Sequence, residues 1–467
     1  MSTTKEITAD KPVMSEKKIK ILWRLLTAVE VLIGIIGIAI LLFLFVPKAR
    51  LELLKTPVGK YLMGVYGKED YNSTVFDPTF DEKKIKVNED LPEYMYSGEY
   101  TNFVMFGIDA RDANFDSGTN SDSIVIVSIH NTTSEVKMVS IYRDSYLAIQ
   151  SADGTSAYDK INSAYARGGP TAALNTINTN MDLDLKDYIV VNFAGVSEII
   201  DALGGIDVNL TEDEMNQLNH HMSSTMLSIG KRTAKVTNYG ENIHLNGIQA
   251  TTYCRIRKTA FYDPESGAVI NNDFGRAARQ RFVIMKLVEK AKDAGVNELK
   301  EAAELVFSQN KANAKIIGTS FQWDELMNMM PIIFDFQLSG TQSFPNSFTT
   351  GDLGGKSCVI IKGLSYNVSK LHEFLYGEKD YQPSYTVENI SNNLQANTGV
   401  YPDYMQTQQW QATSEDGKLP KDLATDEQMG EVVDAGPTVT KKKSKYKSFD
   451  DEGQNYGYDD TKDDSGI

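Results

Sequence analysis

The chain has 467 residues and carries 63 acidic against 47 basic side chains, which gives a formal net charge of −16. We exclude nucleic acid as a partner, because such recognition needs a strong basic field and because no helix-turn-helix or zinc-finger spacing is present. The two cysteines, Cys254 and Cys358, are far apart in sequence, and we interpret them as buried small apolar residues rather than as a disulfide or a metal pair.

The first predicted element is a membrane anchor at residues 21–46. Its core, Leu25–Val46, is apolar apart from Glu30, and about twenty such residues span a bilayer as a helix. No small-residue cleavage pattern follows, so we predict a retained helix rather than a removed signal peptide. Basic residues before it favour a cytoplasmic head at residues 1–20, a single pass and an extracellular remainder, although basic residues beyond it weaken this orientation.

After a charged, turn-rich spacer at residues 47–98, strand patterns alternate with helix patterns. Strands are predicted at Asn102–Ile108, Ser123–His130, Glu135–Tyr142, Asp187–Phe193 and Ile206–Leu210. Helices are predicted at Lys160–Asn180 (broken at Gly168-Gly169-Pro170), Ala194–Leu203, a short segment from Asn246, Phe274–Ala294 and Val368–Leu375. This interleaving predicts an α/β domain at residues 99–380, with helices layered on a central mixed β-sheet.

Two further stretches lack a clear period. Residues 213–240 are polar and are interpreted as an insertion, and residues 298–364 mix helical and strand-like pieces that we assign to the same domain. From residue 381 to residue 467 the sequence is polar, with few large aliphatic side chains, and it predicts a disordered tail.

Arginine is sparse and unevenly placed. Five of the eleven arginines lie within Tyr253–Arg281 and none follows. Arginine is the side chain that grips phosphate or carboxylate in a planar, bidentate way. The five are Arg255, Arg257, Arg276, Arg279 and Arg281.

The spacing of these arginines predicts one anion site. Arg255 and Arg257 share a face if their segment is extended, which would turn Cys254 and Ile256 to the core. Arg276, Arg279 and Gln280 form one stripe of a helix that Asn272 or Asp273 could cap. We therefore expect four arginines to converge on one anion near a helix N-terminus. The alternative is ordinary surface ion pairing.

Two aspartates stand at predicted strand ends. Asp109 follows the first strand and Asp122 begins the second. Two carboxylates beside an arginine cluster suit a hard cation such as Mg²⁺, which also accepts phosphate oxygens and water. The alternative is that both aspartates cap loops.

Eight motifs in order resemble the LytR–CpsA–Psr family of bacterial cell-envelope proteins. They run from Phe-Gly-Ile-Asp-Ala-Arg and Asn-Ser-Asp-Ser through Val-Ser-Ile-Tyr-Arg-Asp, Asp-Lys-Ile-Asn-Ser-Ala-Tyr and Asp-Ala-Leu-Gly-Gly-Ile-Asp-Val. Leu-Asn-Gly-Ile-Gln-Ala, Tyr-Cys-Arg-Ile-Arg and Asp-Phe-Gly-Arg-Ala-Ala-Arg-Gln-Arg complete the series. The match covers residues 102–292 and is specific because of its order.

The resemblance implies a membrane-bound phosphotransferase. Such an enzyme moves a glycopolymer, such as teichoic acid or capsule, from an undecaprenyl-pyrophosphate carrier to peptidoglycan. By position, Asp109 and Asp122 would hold Mg²⁺ or Mn²⁺, and Asp122, Arg143 and Arg257 would be catalytic. The residues implied to bind pyrophosphate are Arg111, Arg143, Lys160, Asn162, Arg255, Arg257, Arg276, Arg279 and Gln280.

One position departs from the family pattern. Asn120 stands before Ser121-Asp122 where the family usually has arginine. Either Arg111 or Arg143 supplies that contact, or turnover is altered. No general base is identified beyond an aspartate near the metal. Two other functions stay open: a prenyl-pyrophosphate phosphatase with the same site, and a non-catalytic envelope sensor.

Overall fold

The computed structural model describes most of the chain between residues 80 and 402. The described residues are 80–110, 115, 118–151, 155–264, 267–294, 299, 302–304, 315–322, 325, 329 and 337–402. The predicted head, membrane helix and most of the spacer lie outside them, as do Arg111 and residues 403–467. Within the described ranges, no helix combines the length and the apolar character that crossing a membrane requires.

A six-stranded mixed sheet forms the centre of the domain, in the order β11-β6-β1-β2-β3-β12. Its strands are β1 (Tyr100–Ile108), β2 (Ser121–His130), β3 (Glu135–Ile141), β6 (Asp187–Val191), β11 (Ile317–Thr319) and β12 (Gln337–Phe344). β1 pairs with β2 antiparallel and with β6 parallel. β2 and β3 are antiparallel, and β12 joins β3 in parallel.

Among the described residues, four two-stranded sheets accompany this centre. They pair β4 (Tyr146–Gln150) with β5 (Ser156–Lys160), β7 (Ile206–Leu210) with β8 (Gly240–Leu245), β9 (Phe261–Tyr262) with β10 (Val269–Ile270), and β13 (Phe348–Leu353) with β14 (Lys356–Ile361). The α-helices with described bounds are α1 (Ser163–Met181), α2 (Phe193–Ala202), α3 (Glu212–Ile229), α4 (Gly247–Tyr253), α5 (Asn272–Asp293), α6 (Leu364–Tyr376) and α7 (Tyr385–Thr398).

Both faces of the sheet are covered because its central strands are apolar on both sides. On one face, Phe106 and Ile126 pack with Leu174 of α1 and with Leu371 of α6. On the other face, Val125, Val127 and Met138 pack with side chains from α5. This confirms the predicted mixed α/β architecture with helices on both sides of a central mixed sheet.

Helix α1 contains the break that its sequence predicts. Gly168 and Gly169 leave helical geometry, and Gly169 has a φ of 62°, a left-handed value that glycine adopts at little cost. Pro170 then starts the second half, where its missing N–H does no harm. Ala172, Leu174 and Ile177 of that half are fully buried in the core.

Two predictions about polar segments are wrong. Residues 213–240 are not a patternless insertion, because α3 occupies most of them and begins with a capping box between Thr211 and Glu214. The predicted tail begins too early, because α7 lies within residues 381–467. Val387, Ile390 and Leu394 of α7 are buried in the main core.

Candidate active site

The site forms where three neighbouring strands meet one edge of the central sheet. Asp109 directly follows the end of β1, and Asp122 is the second residue of β2, at a register shift opposite Gly107 and Ile108. Arg143 follows the end of β3, which is antiparallel to β2. The fold therefore carries these side chains to the same edge from separate parts of the sequence.

An ion-pair cluster joins this edge to the start of α5. The Nη1 atom of Arg143 lies 2.5 Å from a carboxylate oxygen of Asp122, and its Nε lies 3.5 Å from Asp273. Asp273 also pairs with Arg276 at 2.9 Å and with Arg257 at 3.5 Å. Three guanidinium groups, of Arg143, Arg257 and Arg276, thus surround two carboxylates, and their binding of pyrophosphate stays a prediction.

The first turns of α5 provide one wall of a cleft. The cap is Asn271 rather than the predicted Asn272 or Asp273, and Asp273 instead lies in the first turn. Arg276 and Gln280 follow at intervals of one turn and line the cleft together with Asp122 and Arg143. The predicted helical stripe is therefore correct for Arg276 and Gln280.

Charges within the cluster keep it ionised. Burial on its own would raise the pKa of Asp122, but Arg143, Arg276 and Arg257 together hold that pKa below its ordinary value. Burial lowers the pKa of Arg276 to about 10, Asp273 opposes this, and repulsion from Arg143 and Arg257 adds to it. Arg276 therefore remains charged at neutral pH in a site crowded with positive charge.

A second group of residues supports Arg143 from behind. The Lys160 ammonium lies 3.1 Å from Asp144, and another oxygen of Asp144 lies 3.7 Å from the Nε of Arg143. The backbone of Asn162 bridges the two strand ends: its N–H donates to the carbonyl of Arg143 and its carbonyl accepts from Ser121. Lys160 and Asn162 thus lie beside the cluster, as expected.

Arg279 is not part of this cluster, and the expectation that it shares the anion site is wrong. Its side chain is completely buried, and Nη2 lies 2.9 Å from Glu214 of α3. The remaining donors reach the backbone carbonyls of Ile256, Thr259 and Ala260. Helical spacing determines which face of the helix a side chain lies on, but not which partner it binds. Here the guanidinium of Arg279 pairs with a buried acid from a helix distant in sequence.

Arg255 also leaves the predicted arrangement. Residues 254 and 255 form a turn after α4, so the segment that carries Arg255 and Arg257 is not an extended strand. Arg255 donates to the hydroxyl groups of Ser224 and Thr225, and its guanidinium lies 4.6 Å from the ring centre of Phe193. These contacts direct it toward α3 and α2, whereas Arg257 turns to Asp273.

The carboxylates at the sheet edge match a two-ligand Mg²⁺ site only. The described residues contain no group of three or more His, Cys, Asp or Glu side chains that could hold a metal ion. Asp109 and Asp122 stand at adjacent strand ends. Two carboxylates completed by substrate phosphate oxygens and water are a usual coordination for Mg²⁺, so the metal assignment to these residues stays a prediction.

Two acidic members of the site, Asp144 and Asp273, were missed from the predicted ligand set. Asp273 precedes Arg276 by three residues, and that spacing places the two side chains on one helix face. Asp144 directly follows Arg143. Both signals are present in the sequence but are too common to identify a site on their own. Asn120, at the family's arginine position, is exposed just before β2.

Comparisons with known proteins agree with the motif order. The model of the LytR_cpsA_psr family matches residues 65–333. The chain is 32% identical over 231 residues to the polyisoprenyl-teichoic acid–peptidoglycan teichoic acid transferase TagU of Bacillus cereus (strain AH820). The aligned stretch covers 49% of this chain and 65% of that protein, just under two thirds of its length. The protein of the same name from Bacillus anthracis (strain A0248) is 30% identical over 269 residues, or 57% and 76% of the two chains. The crystal structure of protein gbs0355 from Streptococcus agalactiae has a TM-score of 0.49 and 22% identity, covering 67% of this chain and 97% of that one.

Proposed function

The chain belongs to the LytR_cpsA_psr family, and on that premise we propose that it transfers a glycopolymer from a polyprenyl-pyrophosphate carrier onto peptidoglycan. Relatives that are 30–32% identical carry the name of a transferase of this type, with teichoic acid as the polymer. For this chain we propose undecaprenyl as the carrier lipid and the outer face of the cell membrane as the place of action, through the predicted helix at residues 21–46.

The observation that carries the proposal is the set of three guanidinium groups around the carboxylates at the sheet edge. Arg143, Arg257 and Arg276 come from a strand end, a loop and a helix, yet all three lower the pKa of Asp122. The Nε donor of Arg276 is buried and has no hydrogen-bond acceptor among the described residues. A diphosphate would supply acceptors to such donors. It would also bring negative charge to Arg276, whose pKa is lowered by burial and further by repulsion from Arg143 and Arg257.

The transfer requires positioning and charge more than covalent participation by the protein. A hydroxyl oxygen of the acceptor forms a bond to the phosphorus that carries the glycan. The bond from that phosphorus to the bridging oxygen breaks, and its electron pair leaves with polyprenyl phosphate. The three guanidinium groups stabilise the charge that develops on the leaving phosphate. The hydroxyl proton passes to a carboxylate at the same sheet edge, for which Asp109 is the candidate, because Asp122 is engaged by Arg143.

A bound Mg²⁺ ion at Asp109 and Asp122 would supply further positive charge for the leaving phosphate. Asp122 fits this task because its pKa is held low by neighbouring arginines, so it is an anion at neutral pH. Its carboxylate also orients Arg143 through the 2.5 Å contact. Asp122 therefore has a positioning role that is independent of any metal.

We place the lipid tail on the sheet face that α5 covers. Met105, Ile189, Ile284 and Met285 are only partly buried there, against the apolar cluster of that face. Flexible methionines adapt to irregular apolar ligands. Ile284 and Met285 belong to α5, the same helix that provides Arg276 to the arginine cluster. The aliphatic side chains of α1, by contrast, are fully buried in the core and are not available to a lipid.

The experiment compares transfer with hydrolysis. Full-length protein in detergent is mixed with Mg²⁺ and a polyprenyl-pyrophosphate-linked oligosaccharide, and release of polyprenyl phosphate is measured with and without peptidoglycan. A transferase releases it only with acceptor present, and the sugar becomes attached to the peptidoglycan. Equal release without acceptor would identify a phosphatase, and no release under either condition would favour a sensor.

A matched pair of arginine variants tests the site itself. Arg276→Met should lower turnover by about 10²–10³, the usual cost of removing a donor that acts on developing charge. Arg232→Met is the control, because Arg232 is an exposed arginine and its loss should change turnover less than about twofold. Equal effects of the two substitutions would contradict the proposed role of the cluster.

A further inference from the structure

A second cavity, of about 320 Å³, lies beside the arginine cluster, between the β4–β5 hairpin and the β13–β14 hairpin. Tyr146 and Tyr158 line it from the first hairpin, Lys356 and Cys358 from the second, and Asn397 from α7. A volume of this order is within the range of sites that enclose small organic ligands. The ion-pair cluster of the candidate active site does not line it.

The cavity combines aromatic faces with hydrogen-bonding groups. The rings of Tyr146 and Tyr158 have centroids 6.0 Å apart at an interplanar angle of 33°. Asp159 lies next to them and accepts from Lys356 at 2.9 Å and from Arg167 at 2.5 Å. A pyranose ring has apolar C–H faces that pack on aromatic rings and an edge of hydroxyl groups that need donors and acceptors. The cavity offers both kinds of contact.

The polar groups are in the protonation states that sugar hydroxyls require. Burial raises the pKa of Tyr146, and negative groups nearby raise it further, so its hydroxyl stays a donor. Burial alone would raise the pKa of Asp159, but hydrogen bonds from Lys356 and the backbone of Lys160 lower it, so Asp159 stays an acceptor. The Lys356 side chain is 51% exposed, so its remaining donors can be reached from the cavity.

The cavity lies directly next to the site. Tyr146 is the cross-strand partner of Lys160, and Lys160 pairs with Asp144 behind Arg143. The N–H of Val359, which follows Cys358, donates to the carbonyl of Asp144. The cavity therefore adjoins the Lys160–Asp144 pair that stands behind Arg143, which makes it a candidate place for sugar units joined to a diphosphate at the arginine cluster.

We propose that this cavity binds a pyranose unit of the glycan that takes part in the reaction. The proposal rests on the proposed function and extends it to a sugar subsite built by Tyr146, Tyr158, Asp159 and Lys356. The shared ligand chemistry is a hydroxyl-rich sugar ring, which either the donor glycan or the peptidoglycan acceptor can present.

Direct binding is the first test. Full-length protein in detergent is titrated with a soluble β-1,4-linked N-acetylglucosamine tetrasaccharide by calorimetry. Tyr146→Leu and Tyr158→Leu should each weaken binding by about tenfold, whereas Tyr158→Phe, which keeps the ring, should stay within about threefold. Tyr385→Leu is the matched control, because Tyr385 is 81% exposed on α7 and does not line the cavity.

Kinetics then separate the two sources of sugar. A raised KM for the glycan-linked donor in Tyr158→Leu assigns the cavity to the donor, and a raised KM for peptidoglycan assigns it to the acceptor. If both leucine variants keep the wild-type melting temperature, bind the tetrasaccharide as wild type does and keep both KM values, the subsite does not exist. That outcome would leave the transferase intact, whereas an inactive wild-type protein that still binds the tetrasaccharide would reject the transferase and keep the subsite.

Discussion

Arg279→Met separates a structural arginine from the arginines of the site. In the folded protein Arg279 makes a 2.9 Å pair with Glu214, whose side chain is only 3% exposed, and donates to three backbone carbonyls. Methionine keeps most of the apolar contact but leaves Glu214 buried without its partner. Breaking a buried pair in this way costs about 3–5 kcal/mol.

The assay is thermal unfolding of the full-length protein in detergent, and transfer activity is measured on the same variants. A loss of 3–5 kcal/mol corresponds to a decrease in Tm of at least about 6 °C, at roughly 2 °C per kcal/mol for a large domain. Adding Glu214→Leu should recover only part of it. That substitution removes the orphaned charge, but it also removes the Glu214 half of the capping box of α3. The carbonyls of Ile256, Thr259 and Ala260 still lack their donor, at about 1–3 kcal/mol for a buried group.

The contrast with Arg276→Met decides the interpretation. Arg276 should affect turnover far more than stability, and Arg279 should affect stability first. If Arg279→Met kept Tm within about 2 °C and abolished transfer at a temperature where the protein is folded, Arg279 would belong to the anion site and the reasoning would be refuted.

Three further predictions concern other parts of the molecule. Burial lowers the pKa of His372 to about 4 from an ordinary value of 6.5. Because the unfolded chain takes up the proton at a higher pH than the folded protein, the free energy of unfolding should fall by about 3 kcal/mol as the pH decreases from 6.5 to 4. In unfolding curves measured across this range, His372→Gln should remove that pH dependence. Ending the chain after residue 402 should leave Tm within about 2 °C of the full-length value. Ending it after residue 384 removes three buried aliphatic side chains of α7, whose burial contributes about 5–9 kcal/mol to the free energy of unfolding, and should prevent folding. Equal Tm values for the two truncated chains would contradict this. Asp122→Asn should lower transfer by about 10²-fold because it weakens the anchor of Arg143, and undiminished transfer would exclude that role.

Local patterns in the sequence were sufficient for four of the six strands of the central sheet, β1, β2, β3 and β6, but not for β11 and β12. The first three strands are apolar, regularly spaced and bounded by polar turns, so their ends could be predicted to within about two residues. Because β1, β2 and β3 are neighbours, placing Asp109, Asp122 and Arg143 at their ends already brings these residues together.

The errors have a common physical origin in long-range pairing. The direction of the Arg279 side chain depends on Glu214, which is 65 residues away in sequence. Glu214 belongs to α3, a helix that was not predicted because its residues are mostly polar. The Thr211–Glu214 capping box was the available signal for that helix. Helix α7 was missed for a similar reason, since only three aliphatic residues in a polar segment carry its contact with the core.

The most direct measurement is a crystal structure of the protein with a polyprenyl pyrophosphate and Mg²⁺. The account predicts that the two phosphates lie within hydrogen-bonding distance of Arg143, Arg257 and Arg276, with the metal on Asp109 and Asp122 and with Arg279 still paired to Glu214. A diphosphate bound elsewhere, with the three guanidinium groups still closed on Asp122 and Asp273, would contradict it.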